Sequence, residues 1–78
     1  METINFEINE KKYELDMAKM AAAIDSLDNA WQSVALRRLK RGKYYDVLRV
    51  LYLCKTGHKI NNEDVTSDMI EKVAKELM

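Results

Sequence analysis

The chain has 78 residues, the length of one small domain, and folding at this size buries only about 60–65% of the unfolded surface. A composition of 47% apolar and 33% charged residues is typical of a globular protein and excludes an intrinsically disordered one. The formal net charge is zero, and a single cysteine excludes an internal disulfide framework and indicates a reducing compartment.

Neither a secretory leader nor a membrane span is predicted. The opening METINFEINE is polar and acidic and lacks the apolar run of a signal peptide. The longest mostly apolar run, YYDVLRVLYLC, contains Asp46 and Arg49, so it is too short and too charged to cross a bilayer. We therefore expect a cytoplasmic protein that does not enter a membrane.

A β-hairpin is predicted over about residues 3–16. Apolar residues alternate with polar ones on both sides of a polar turn: Ile4, Phe6 and Ile8 before it, Tyr13, Leu15 and Met17 after it. The turn is either the pair Asn9-Glu10, in which Glu is a poorer second residue than Gly, or a four-residue loop over 9–12. Both alternatives leave one apolar face, which must be covered by other elements.

Helical spacing begins at Asp16 and is predicted to continue over about residues 17–41. The apolar positions step by three and four residues: Met17, Met20, Ile24, Leu27, Trp31 and Val34. Four residues that favour caps and turns lie at positions 25, 26, 28 and 29, so one long helix and two shorter ones remain open. Gly42 follows a basic last turn, which predicts that it is the C′ residue.

Two further helices are predicted, over about residues 43–55 and 62–77. The first is apolar almost all round, which is typical of a central core helix, and Gly57 is expected to end it. The second should begin near Asn61 or Asn62, with Glu63 and Asp64 in its first turn.

No catalytic or metal-binding constellation is recognisable. Cys54 and His58 are four residues apart, but they make two ligands at most and structural zinc requires four. No orienting third group accompanies them as a catalytic pair. The scattered carboxylates fit a solvated surface, so neither an enzyme nor a cofactor is expected.

Charge is concentrated in the middle of the chain. Residues 1–36 carry seven acids and three bases, residues 37–59 eight bases and one acid, and residues 60–78 five acids and two bases. The run RRLKRGK at 37–43 could neutralise nucleic-acid phosphates, with Tyr44 and Tyr45 stacking on bases, or bind an acidic protein, or simply be solvated. The acidic segments could also lie against this basic middle.

The apolar content predicts a docking surface. Met17, Met20 and Met69 fall on core-facing stripes, whereas Trp31 and the surplus apolar positions of helix 43–55 exceed what so small a core can bury. Self-association or capture of a partner helix would account for that excess.

The stretch INFEINEKKYELDMAKM, followed by KYYDVLRVLYLCKTGHKI and NNEDVTSDMIEKVAKEL, resembles the tail assembly chaperones of long-tailed bacteriophages. Those proteins commonly begin with the hairpin pattern I-x-F-x-I-N-G-K-x-Y-x-L, which residues 4–15 match with Glu10 in the place of Gly, and residues 44–77 match the later helices. The resemblance implies a non-enzymatic role: binding the tape measure protein while the tail tube polymerises around it, in the cytoplasm of a bacterial host.

We therefore predict an α+β, mostly α fold: a single domain over 1–78 in which the hairpin packs on a bundle of three or four helices. The predicted function is a non-enzymatic protein-binding module that forms a homo-oligomer and binds a tape measure or tail tube protein. Aromatic anchors and steering arginines should form the binding site: Trp31, Arg37, Arg38, Arg41, Tyr44 and Tyr45. The alternative is a small nucleic-acid-binding or transcription-control protein that uses the basic run.

Overall fold

The computed structural model of the chain describes residues 2–56 and 65–78. Its elements follow in the order β1 (Thr3–Ile8), β2 (Lys11–Asp16), α1 (Met17–Asp25), α2 (Asn29–Lys40), α3 (Tyr44–Thr56) and α4 (Ser67–Glu76). The predicted α+β, mostly α fold is confirmed, because an antiparallel hairpin is followed by four helices in the described residues. All six elements contribute to one buried core.

The hairpin has the predicted faces. Antiparallel pairing sets Ile4 opposite Leu15 and Phe6 opposite Tyr13, and the β1 side chains alternate between exposed and buried. The apolar face belongs to the core, where β2 packs against α1 and α4. The two strands are therefore stabilised by helices, as a lone two-stranded hairpin would not be.

The turn uses the two-residue alternative. Ile8 pairs with Lys11, so only Asn9 and Glu10 lie between the strands. Both have positive φ, 54° and 64°, as in the type I′ turn that matches the twist of a hairpin. Asn tolerates this backbone well, whereas Glu10 is strained by its Cβ. Burial of the apolar face of both strands stabilises the hairpin by more than this local strain costs.

The predicted helix over 17–41 is two helices, α1 and α2, with a break at residues 26–28. Asp28 is the N-cap of α2 and accepts a hydrogen bond from the Trp31 amide at 3.1 Å. The Gln32 side-chain amide donates to the carbonyls of Asp25 at 2.8 Å and Leu27 at 3.0 Å. Carbonyls at the end of α1 are thereby satisfied, which stabilises the break.

The turn between α2 and α3 confirms the prediction for Gly42, whose φ is +73°. The Gly42 amide donates to the Leu39 carbonyl and the Lys43 amide to the Arg38 carbonyl, each at 3.0 Å. These two bonds form the Schellman motif, which requires a left-handed residue at C′. A glycine at this position therefore reverses the chain and allows α3 to pack beside α2.

Helix α3 lies at the centre of the fold, in contact with both α2 and α4. Its apolar residues are buried: Val47, Leu48, Val50, Leu51 and Leu53. The prediction that this helix presents surplus apolar surface is therefore wrong for these positions. Neighbours on two sides cover these aliphatic side chains, and Tyr45 remains its exposed large apolar residue in the described region.

Helix α4 begins later than predicted. Val65 and Thr66 are not helical, and Thr66 is the extended N-cap of a helix that starts at Ser67. The predicted start at Asn61 or Asn62 and the expected end of α3 at Gly57 lie outside the described residues. Within residues 2–56 and 65–78, no helix is long and apolar enough to cross a membrane.

A line of polar contacts, here called the α4 seam, joins α4 to the hairpin. Near the turn, the Asn9 side chain donates to Asp68 at 3.2 Å. In the middle, the Tyr13 hydroxyl donates to Glu71, whose carboxylate also lies 3.6 Å from the Lys11 ammonium. At the far end, the Asp16 amide donates to the Leu77 carbonyl at 2.7 Å. β2 and α4 therefore run side by side in the same direction.

Candidate functional site

Helix α2 is the least buried of the described helices, with Ala35 as its one fully buried residue. Trp31, Val34 and Leu39 pack against the core but remain half-exposed, and Leu36 is 44% exposed. Since Leu36 lies beside the core-facing stripe of the helix, it widens the apolar surface toward solvent. The helix therefore presents partly uncovered apolar side chains along its length.

A basic cluster, defined by residues 37, 38, 40, 41 and 43, surrounds the C-terminal end of α2. The carbonyl end of a helix carries partial negative charge, so cations are favourable here. Among the described residues, no member of the cluster forms an ion pair. The ion pairs of the described structure join other residues: Lys11–Glu71, Arg49–Asp46 and Lys55–Glu76. The described acidic residues therefore leave the basic cluster unneutralised.

The structure separates the six predicted contact residues into two groups. Arg37 and Arg41 are exposed and Arg38 is half-buried at one end of α2, and Tyr44 and Tyr45 begin α3 just after the turn. Trp31 lies in the first turn of α2. Ten residues separate Trp31 from Arg41, about 15 Å along the axis. A ligand that contacts both groups must therefore be elongated.

The two tyrosines differ in availability. Tyr44 is half-buried and packs against the core, whereas Tyr45 is 39% exposed. The Arg49 guanidinium lies 5.8 Å from the centre of the Tyr45 ring and also forms an ion pair with Asp46. One face of the Tyr45 ring is thus covered by a cation, which leaves the other face and the edge for a partner.

Leu36 is the residue that the sequence-based prediction missed. It lies two positions after Val34 and departs from the three-and-four spacing of the stripe. A leucine off the stripe and next to the cations is itself a signal of an exposed apolar residue. We define the α2 surface as Trp31, Leu36, Tyr45 and the basic cluster.

Cys54 is a half-buried free thiol in α3. Burial raises the pKa of this thiol, and the nearby Asp28 carboxylate raises it further. Since the thiolate is the reactive form, a raised pKa disfavours nucleophilic chemistry at neutral pH. His58 lies outside the described residues, and the described ones hold no group of three side chains that could bind a metal ion.

The α4 seam is a second place where titratable groups converge. The hydrogen bond from Tyr13 lowers the pKa of Glu71, with the ammonium groups of Lys11 and Lys75 acting in the same direction. The same hydrogen bond raises the pKa of Tyr13. Both side chains bridge a strand and a helix, so the geometry fits a structural connection between these elements.

Comparison with known proteins adds no functional assignment: no protein family, curated protein or solved structure matches this chain. The resemblance to phage tail assembly chaperones stays a prediction.

Proposed function

We propose that the chain is a non-enzymatic protein-binding module that captures an elongated partner segment on the α2 surface. The main observation in support is that α2 and the turn after it combine half-exposed and exposed apolar residues with five cations that form no ion pair in the described structure. Apolar contact supplies most binding energy in such interfaces, and charge supplies steering and specificity.

The chemistry of the surface fits an acidic, amphipathic helix. Leu36 would contact the apolar face of such a helix, and the basic cluster would face its carboxylates. The separation of about 15 Å between the two ends of the surface corresponds to roughly three turns of a partner helix. The resemblance to tail assembly chaperones suggests a tape measure protein of a long-tailed phage as the source of that helix.

The test is co-expression of the full chain with fragments of a tape measure protein, followed by size-exclusion chromatography with light scattering. Co-elution of a defined complex is the expected result. The Leu36→Asn change should weaken capture about tenfold, because it removes the exposed large apolar side chain of α2. Met78→Asn is the matched control, since both side chains are large, apolar and about half-exposed, at 44% and 49%.

Two double variants test whether the basic cluster steers the partner toward α2. The Arg37→Glu/Arg41→Glu double change should slow association and reduce its dependence on salt. Lys12→Glu/Lys72→Glu makes the same change in net charge at exposed positions on β2 and α4. If both double variants lose capture equally, net charge explains the loss and the assignment of steering to α2 is wrong.

A second candidate function is nucleic-acid binding, which is favoured by the cations that have no ion-pair partner among the described residues and precede Tyr45 in the chain. Counterion release would make such binding fall steeply with salt. Leu36→Asn separates the two functions, because a partner helix requires the apolar contact and a phosphate backbone does not. Salt-sensitive binding of DNA or RNA that Leu36→Asn leaves intact, with no capture of the fragment, would replace the first proposal.

A further inference from the structure

The outer edges of β1 and β2 differ in how far other elements cover them. Asp16 on β2 directs its amide away from β1 and donates it to the Leu77 carbonyl at 2.7 Å. The adjoining Lys19 ammonium donates to the Met78 carbonyl at 2.5 Å. The end of α4 thus partly covers the outer edge of β2.

Among residues 2–56 and 65–78, the outer edge of β1 has no comparable cover. The Met17 amide donates to the Glu2 carbonyl at 3.1 Å, which shows that even-numbered residues of this segment turn their main-chain groups toward β2. Thr3, Asn5 and Glu7 must then turn theirs outward, because the direction alternates along a strand. All three are exposed, and no hydrogen bond in the described structure uses these outward groups.

The composition of β1 leaves this edge open to pairing. Natural edge strands are usually protected by lysine, proline, a bulge or a covering element. The strand TINFEI has one charged residue, Glu7, and neither lysine nor proline, and its register with β2 is regular. β2, with the sequence KKYELD, is rich in charge as well as covered by α4.

We propose that β1 pairs with β1 of a second copy, antiparallel across a twofold axis at Asn5, so that the two hairpins form one four-stranded sheet. Asn5 then faces Asn5 of the second copy, and Thr3 faces Glu7 on both sides of the axis. In this register every outward amide and carbonyl of the three residues has a partner. The proposal is independent of the function proposed for the α2 surface.

Charge and strand length each disfavour one alternative register, whereas axes at positions 4 and 6, which set Asn5 opposite Thr3 or Glu7, are distinguished from an axis at Asn5 by the charged variants below. A shift that places the axis at Glu7 would set two glutamates directly opposite each other, which is destabilising. A shift to Thr3 would leave Glu7 without a partner strand residue. With the axis at Asn5, a hydroxyl faces a carboxylate, and Lys12 of the same hairpin flanks Glu7 on its other side.

The decisive experiment uses complementary charges at the axis. Sedimentation velocity of the wild-type chain should show a species of twice the 9.1 kDa monomer mass. Asn5→Asp and Asn5→Lys should each dissociate it, because each places like charges face to face. A mixture of the two variants should restore a dimer that contains one copy of each, because the opposite charges then face each other. This rescue is expected only if the twofold axis lies at Asn5.

Proline variants test the same edge by removing one donor. Asn5→Pro deletes an outward amide of β1 without touching the hydrogen bonds to β2, and it should abolish the dimer. Glu14→Pro makes the matched change on the outer edge of β2 and should leave the dimer intact. Far-UV circular dichroism verifies that each variant is folded.

Three results would overturn the proposal. The wild-type chain could be monomeric at every concentration tested. It could form an oligomer that all Asn5 variants retain, which would place the contact on another surface. Finally, the two charged variants could stay monomeric when mixed, which would exclude an axis at Asn5. If Asn5→Pro fails to fold, the charged variants decide the question alone.

Discussion

The hairpin–α4 region and the α2 surface are held by different kinds of interaction. The hairpin is joined to α4 by directional hydrogen bonds at Asn9, Tyr13 and Asp16, spread along the whole of β2. Helix α2 instead lies on α3 through apolar side chains that remain half-exposed. The comparison shows that the hairpin is fixed to α4 by directional bonds, whereas α2 leaves apolar side chains partly uncovered.

The strongest contrast should come from two leucines. Leu15→Ala removes a fully buried side chain of β2 and should cost about 2–5 kcal/mol of unfolding free energy. Leu36→Ala, at 44% exposure on α2, should change the free energy of unfolding by less than about 0.5 kcal/mol. Urea denaturation of both variants gives the two values. Equal costs would mean that α2 is as much a part of the core as the hairpin.

The two turns with positive φ should respond in opposite directions. Gly42→Ala should destabilise by about 1 kcal/mol through backbone strain alone, since a Cβ there would meet no atom within 4 Å. Glu10→Gly should stabilise by about 0.5–1 kcal/mol, because it relieves strain at φ 64°. Thermal unfolding of the two variants measures both effects. A destabilising Glu10→Gly change would show that the glutamate side chain compensates for its strain.

The α4 seam should make stability depend on pH. The folded pKa of Glu71 is lowered from 4.5, so the seam stabilises the fold above that value and loses this contribution as pH falls through the lower folded pKa. The folded pKa of Tyr13 is raised from 10.0, so its contribution is present below that value and is lost at higher pH. Unfolding midpoints measured over this range should therefore decline at both ends.

Glu71→Gln tests the acid side of that dependence. The variant should unfold more easily at neutral pH and lose less stability than the wild type on acidification. Glu14→Gln removes one carboxylate from an exposed position on β2 and controls for the change of charge. An acid decline that Glu71→Gln leaves unaltered would assign the effect to other carboxylates.

Local features were predictable from the sequence, and long-range ones were not. Alternation around Asn9 predicted the faces of the hairpin, and Gly42 after a basic turn predicted the end of α2. The pairing of Tyr13 with Glu71 spans 58 positions, and no local pattern couples them. The start of α4 was misplaced because Asn61 and Asn62 offered caps as good as Thr66, and local preference does not choose among them.

The α2 surface was predictable only in part. The basic run and Trp31 were visible as candidates, but the apolar content of α3 suggested that exposure would occur there. The hydropathy of helix 43–55 predicted its central position, but how much of its apolar surface is covered depends on how many elements pack around it. That information is carried by tertiary contacts and not by the hydropathy of the helix.

The distance along the chain between the hairpin and α4 has a consequence during synthesis. The hairpin leaves the ribosome before α4, because Asp68, its contact at the turn, follows Asn9 by 59 positions. Until α4 emerges, the apolar face of the hairpin lacks part of its cover. The outer edge of β2 also lacks the hydrogen bond between the Asp16 amide and the Leu77 carbonyl. The nascent chain therefore passes through a stage with exposed strand edges and is then most vulnerable to aggregation.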